Sequence, residues 1–172
     1  MTPSEDPAFT LHDAVSRADI DDVKQLFLEY EKGLGISLCF QNFATEVAGL
    51  PGDYAPPGGR LVLARYGGAP AGCIALRRLD DAACEMKRLY LRDAHRGRGF
   101  GFRLAQECIA TARRLGYARM RLDTLPVMQD AIALYRALGF RQIEPYRDNP
   151  VPGALYMELD VTAPAADHLR RL

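Results

Sequence analysis

A chain of 172 residues with 22 Lys and Arg against 22 Asp and Glu carries no formal net charge, which excludes the broad basic field of a nucleic-acid or anionic-membrane binder. Its length suits one domain with a sizeable core, and 48% hydrophobic with 26% charged residues is an ordinary globular composition. No apolar run approaches a membrane span, residues 1–6 lack the regions of a signal peptide, and Cys39, Cys73, Cys84 and Cys108 show no C-x-x-C spacing, so the expectation is a cytoplasmic protein with reduced thiols and no metal site.

Residues 1–8 read as a loose tail, 9–160 as a single domain and 161–172 as a second tail. Phe9 to Ala14 reads as a short strand. Asp19 is placed to cap a helix whose apolar positions Val23, Leu26, Phe27, Tyr30 and Leu34 follow helical spacing, with Gly33 and Gly35 as its stop. A second short helix is predicted over Gln41 to Leu50, and the Pro- and Gly-rich stretch from Pro51 to Gly59 reads as a surface loop. Leu61 to Tyr66, Ala71 to Arg77 and Ala83 to Leu91 form a meander turned at Gly67-Gly68 and Asp80-Asp81. Alternation along its third strand puts Glu85, Lys87, Leu89 and Leu91 on one face and Cys84, Met86, Arg88 and Tyr90 on the other.

Arg96-Gly97-Arg98-Gly99-Phe100-Gly101 comes next and opens a helix predicted over Phe102 to Leu115, closed by Gly116. Arg119 to Thr124 is a strand reached by a parallel crossover. Gln129 to Leu138 is a helix closed by Gly139. Phe140 to Ile143 and Leu155 to Leu159 are the last strands, around a loop from Tyr146 to Gly153. The order predicts an α/β domain: a mixed sheet with helices packed on it.

Three glycines between a strand and a helix let the backbone come close to a ligand, and the helix N-terminus aims free N–H groups and its positive dipole end at it. Such a loop suits a phosphate or pyrophosphate. It lacks the Gly-Lys-Ser/Thr ending of a P-loop. It also misses the last glycine of a dinucleotide fingerprint, where Phe102 or Leu104 stands. Asp123 lies where a ribose-binding acid would sit, so the dinucleotide reading stays open but weakened. Lys87, Arg88, Arg92, Arg96, Arg98 and Arg103 cluster around the loop with only Asp93 opposing them, which points to a highly anionic ligand.

The spacing R-x-x-G-x-G, Arg96 to Gly101, resembles the acetyl-CoA pyrophosphate loop of the GNAT N-acetyltransferase superfamily. The strand ahead of it, Leu89-Tyr90-Leu91-Arg92-Asp93, is similar to that family's L-x-V-x-P, with Asp93 in place of the proline. A second family motif, A-I-x-L-Y-x-x-x-G-F, stands intact from Ala131 to Phe140. The resemblance covers roughly Thr10 to Leu159. It implies helices on both faces of the sheet and a splay between the two central parallel strands.

The resemblance also implies an acetyl-CoA-dependent N-acetyltransferase acting by direct attack in a ternary complex. The acceptor it suggests is a small-molecule amine or amino acid, with a protein N-terminus or lysine second and a non-catalytic acyl-CoA sensor as the rival. Backbone N–H groups of about Arg98 to Phe102, through Gly99, Phe100 and Gly101, would hold the pyrophosphate, with Arg96 and Arg98 shielding charge around Gly97. Leu89, Tyr90 and Leu91 would run along the pantetheine arm like a neighbouring strand, the Leu91 N–H polarising the acetyl carbonyl. Tyr135 would protonate the departing thiolate. Met128 stands where the family often has a cofactor-contacting Asn. Glu85 is the candidate base, against a reading in which it simply pairs with Lys87 or Arg77; Asp123 and Thr124 are weaker candidates. No Cys stands where a nucleophile is needed. The acceptor cleft is expected between the segment from Tyr30 to Phe40, the strand of Glu85 and the loop from Tyr146 to Asn149. Its acids would be Glu29, Glu31, Glu85 and Asp148. No membrane or nucleic-acid partner is expected, and a homodimer is left open.

Overall fold

The computed structural model describes residues 6–164. Seven strands form one mixed sheet: β1 (Phe9–Asp13), β2 (Arg60–Tyr66), β3 (Ala69–Arg78), β4 (Ala83–Leu91), β5 (Arg119–Thr124), β6 (Arg141–Ile143) and β7 (Leu155–Asp160). Their spatial order is β1-β2-β3-β4-β5-β7-β6. Every neighbouring pair is antiparallel except β4 and β5 at the centre.

Helices cover both faces, because alternate strand residues are apolar on both sides. On one face α1 (Arg17–Leu34) and α2 (Phe43–Ala48) bury Val23, Leu26, Phe27 and Phe43 against Leu61, Leu63, Cys73 and Ala75. On the other, α3 (Phe100–Arg114) and α4 (Gln129–Ala137) bury Leu104, Ala105, Cys108, Ala112 and Tyr135 against Val62, Ile74, Leu76, Met86, Met120 and Leu122. Both α3 and α4 end in paired reverse hydrogen bonds: Tyr117 to Ala112 with Gly116 to Arg113, and Phe140 to Tyr135 with Gly139 to Arg136.

Several boundaries differ from the sequence reading. The N-cap of α1 is Ser16, whose hydroxyl accepts from the Asp19 amide at 3.1 Å; Asp19 lies inside the first turn and pairs with Arg65. The second helix is shorter than expected, and a 3-10 turn, Cys39–Gln41, precedes it. The Pro- and Gly-rich loop is not purely superficial, since it buries Tyr54 to 2% exposure. α3 begins two residues early, at Phe100, which places Gly101 in its first turn. Residues 1–5 and 165–172 of the two expected tails lie outside the described residues. Asp6 is tied down by Arg98 at 2.7 Å, and Val161 is buried, its amide bonded to the Ala118 carbonyl at 3.0 Å. No helix among the described residues is long and apolar enough to cross a membrane.

The largest departure is in β4. Arg88 has φ of +59°, which a side-chain-bearing residue rarely adopts. The register with β3 slips there: Ala75 faces Lys87, but Cys73 faces Tyr90. This one-residue bulge reverses the alternation. Glu85, Lys87, Arg88 and Tyr90 therefore face the α1 layer, while Leu89 and Leu91 pack with Met86 against α3 and α4. The expected sharing of a face by Glu85, Leu89 and Leu91 is overturned.

Candidate active site

The glycine loop is a backbone device. Gly97 and Gly99 have φ of +73° and +80°, so an L side chain at either is strained. Gly101 has no such constraint. Among the described residues the N–H groups from Gly97 to Phe102 donate no hydrogen bond, and no side chain caps α3. A row of free amides at the positive end of a helix is an anion site. Phe100 contributes backbone only, because its ring is stacked on Phe9 at 3.9 Å in the core. Phe102 is half-buried in the same first turn.

The expected basic cluster around this loop does not form one patch. Arg88 is bound by Glu46, Arg92 by Glu29, Arg96 by Asp93 and Arg98 by Asp6 and Tyr66. Arg96 Nε also donates to the Leu91 carbonyl at 2.9 Å. Lys87 and Arg88 point into the opposite layer. Residues close in sequence diverge here because the strand bulges and carboxylates from other elements take up the cations.

Beside the loop the sheet opens. β4 and β5 pair only from Ala83, Cys84 and Glu85 to Arg119, Met120 and Arg121; from Met86 onward β4 has no strand partner on its β5 side. Arg92 donates its amide to Ala71 on β3, so by alternation the Leu91 N–H points toward the gap. A cavity of about 40 Å³ lies at the splay, reached by Lys87, Arg88 and Leu89 from β4, Asp123 and Thr124 from β5, and Tyr135 from α4. Tyr30, Leu34, Leu38 and Gln41 close it from the α1 side, and Met128 and Asn149 from the far end. Residues of all three segments expected around the acceptor line this cavity, while Glu85 and Tyr146 stay outside its lining. Tyr135 makes no hydrogen bond among the described residues, and burial holds its phenol well above the usual tyrosine range. Thr124 Oγ1 is occupied by Met128 Sδ at 3.7 Å.

Glu85 is fully buried, 0% exposed. Arg77 Nε reaches its Oε1 at 2.9 Å, Lys87 Nζ lies 3.6 Å from the same oxygen, and Tyr146 donates to Oε2 at 2.6 Å beside Arg147. Burial alone would raise its pKa, but Lys87, Arg147 and Arg77 outweigh that and lower it. A carboxylate so engaged is a poor proton acceptor, and the paired reading of Glu85 fits the geometry. Asp123 is half-exposed in the cavity and, among the described residues, held by Asn149 Nδ2 alone, at 3.3 Å. Burial lowers the Lys87 pKa to about 8, against the pull of Glu85.

Other expected contacts are not brought to the cavity. Asp148 is exposed, and the adjacent Asn149 turns inward instead, its Oδ1 capping the Val151 amide. Glu29 is taken by Arg92 and Glu31 by the Leu38 amide. Tyr90 faces away from α3, its ring against Tyr30 and its hydroxyl 3.4 Å from Glu29. Phe40 lies in the Cys39–Gln41 turn, and its side chain falls outside what the structure describes. Sequence reasoning pointed to the loop from Tyr146 to Asn149 without singling out Arg147 or Asn149, and it passed over Gln41, since nothing in their local spacing marks them.

Comparison with known proteins identifies the family and the fold. A model of the acetyltransferase (GNAT) family matches residues 21–140. An uncharacterised N-acetyltransferase of Schizosaccharomyces pombe is 41% identical over 146 residues, covering 84% of this chain and 90% of its own. A GNAT-family acetyltransferase of Staphylococcus aureus superposes with a TM-score of 0.76 at 20% identity, covering 90% of this chain and 99% of its own. A GNAT-family acetyltransferase of Elizabethkingia anophelis, solved with acetyl-CoA bound, gives 0.60 at 20% identity, covering 89% and 98%.

Proposed function

The chain belongs to the acetyltransferase (GNAT) family and is an N-acetyltransferase working with acetyl-CoA; we propose that it transfers the acetyl group directly to the primary amine of a small molecule in a ternary complex. The observation that carries this reading is the splay: β4 parts from β5 after Glu85, between the free amides of the glycine loop and the Tyr135 hydroxyl.

The pyrophosphate would lie on the amides from Arg98 to Phe102, and the pantetheine arm along Leu89 to Leu91 in the gap. The Leu91 N–H would polarise the thioester carbonyl, donating to the oxygen where negative charge develops. The amine nitrogen attacks the carbonyl carbon, a C–N bond forms and the C–S bond breaks. The sulfur leaves as a thiolate and takes a proton from the Tyr135 hydroxyl, which lines the cavity and regains its proton from solvent. The proton lost from the amine goes to Asp123 and then to solvent. We assign this role to Asp123 rather than Glu85 because Asp123 is accessible in the cavity and lightly bonded. Cys39, Cys73, Cys84 and Cys108 are all free thiols, which suits a reducing compartment, and we place the reaction in the cytoplasm.

A thiol-release assay with acetyl-CoA and a panel of amines tests this. Turnover with at least one small amine is expected. A purified chain that binds coenzyme A but releases no thiol with any amine would make it a sensor instead.

A further inference from the structure

The charge around Glu85 does not balance. Its single carboxylate receives Arg77, Lys87 and Arg147. Asp53 comes within 3.9 Å of Arg77, but it is 83% exposed and neutralises little. Two of the cations also have donors to spare. Arg147 Nε is buried with no hydrogen-bond partner among the described residues, although Arg147 does not line the cavity. Lys87 is 6% exposed and lines the cavity; among the described residues its ammonium makes one hydrogen bond, to Gln41 Oε1 at 3.3 Å, and lies 3.6 Å from Glu85 Oε1. Arg88 beside it is different: Glu46 takes it through two hydrogen bonds, at 2.9 and 3.1 Å. Buried cations with unfilled donors are costly unless an anion completes them.

Across the splay the imbalance is reversed. Asp123 is a half-exposed carboxylate with one long hydrogen bond, to Asn149, and its charge acts through space on Lys87 and Arg147. One site thus seeks an anion at its β4 side and a cation at its β5 side. A plain amine answers only Asp123, and a lysine side chain of a protein brings no carboxylate beside its amine.

We propose that the acceptor is a free amino acid, its carboxylate held by Lys87, which lines the cavity, and its amine set between Asp123 and the thioester. This rests on the acetyltransferase reading above and narrows its acceptor.

The test is thiol release from acetyl-CoA with matched probes: L-amino acids, their carboxamides and the corresponding amines without a carboxylate. Wild type is expected to favour each acid over its carboxamide by about 10- to 100-fold in kcat/KM, the range for a hydrogen bond to a charged group. Lys87→Met should shrink that preference, chiefly through the KM of the acid. Lys87→Gln, which keeps a polar side chain without the charge, serves if Lys87→Met does not fold. Equal rates for acids and carboxamides in wild type, or an undiminished preference in the folded variants, would overturn the proposal alone. No thiol release with any probe, while coenzyme A still raises the melting temperature, would overturn the acetyltransferase reading with it.

Discussion

The end of the splay proposed to hold the coenzyme is made of backbone, and the end proposed to hold the acceptor is made of side chains. At the first, two positive-φ glycines and one helix terminus supply every donor, all within Gly97 to Phe102. At the second, Lys87, Asp123, Tyr135, Gln41 and Asn149 come from separate stretches of the chain and meet only in the folded sheet. In the proposed reaction the first would recognise a group common to every reaction of its kind, so its geometry would tolerate little change. The second must fit one acceptor, and it is assembled from parts that vary independently.

If that division holds, damage at each end separates binding from chemistry. The largest effect is expected at the loop. Gly99→Glu forces a side chain into φ of +80° and sets a carboxylate where the pyrophosphate would lie. It should erase thermal stabilisation by coenzyme A, which for wild type at one hundred times Kd amounts to about 2.7 kcal/mol. A retained shift in melting temperature would break the comparison at its coenzyme end.

Tyr135→Phe should leave coenzyme affinity intact and lower kcat by about 10²- to 10⁴-fold where chemistry limits the rate. Its ring stays packed near Phe140, with centroids 5.7 Å apart, so stability should barely change. Wild-type turnover would return the residue to the core.

Glu85→Gln sharpens the acceptor end. Removing the shared counter-charge of three cations should cost about 3–5 kcal/mol of folding stability, whatever the effect on rate. Because the folded pKa of Glu85 is depressed, its contribution is present above the unfolded value of about 4.3 and is lost as pH falls through the lower folded value. The variant should therefore lose part of the wild type's acid-limb slope in urea denaturation. A Glu85→Gln protein of unchanged stability but reduced kcat would reinstate Glu85 as the base.

The smallest effect is at Gly101. A Cβ there would sit 3.6 Å from Leu91 Cδ1 and 3.8 Å from Leu134 Cδ2, in ordinary contact. Gly101→Ala should stabilise α3 by about 0.5–1 kcal/mol, read from the denaturant midpoint. A loss of stability instead would mean that all three glycines are required.

Local chemistry determined what the sequence alone made readable. The glycine spacing, the intact run from Ala131 to Phe140 and the alternating strands gave the loop, Tyr135 and the mixed sheet, because each depends on residues within a turn or two of one another. Tertiary structure decided the rest. Arg88 looks like any strand residue, yet its positive φ reverses the faces of β4 and separates Glu85 from Leu89 and Leu91. The apparent basic cluster dissolved because Glu46, Glu29 and Asp6, each distant in sequence, reached its arginines first. Asp123 became the accessible carboxylate and Glu85 the buried one for the same reason: desolvation and ion pairing are set by what packs across the sheet, and spacing along the chain does not encode that.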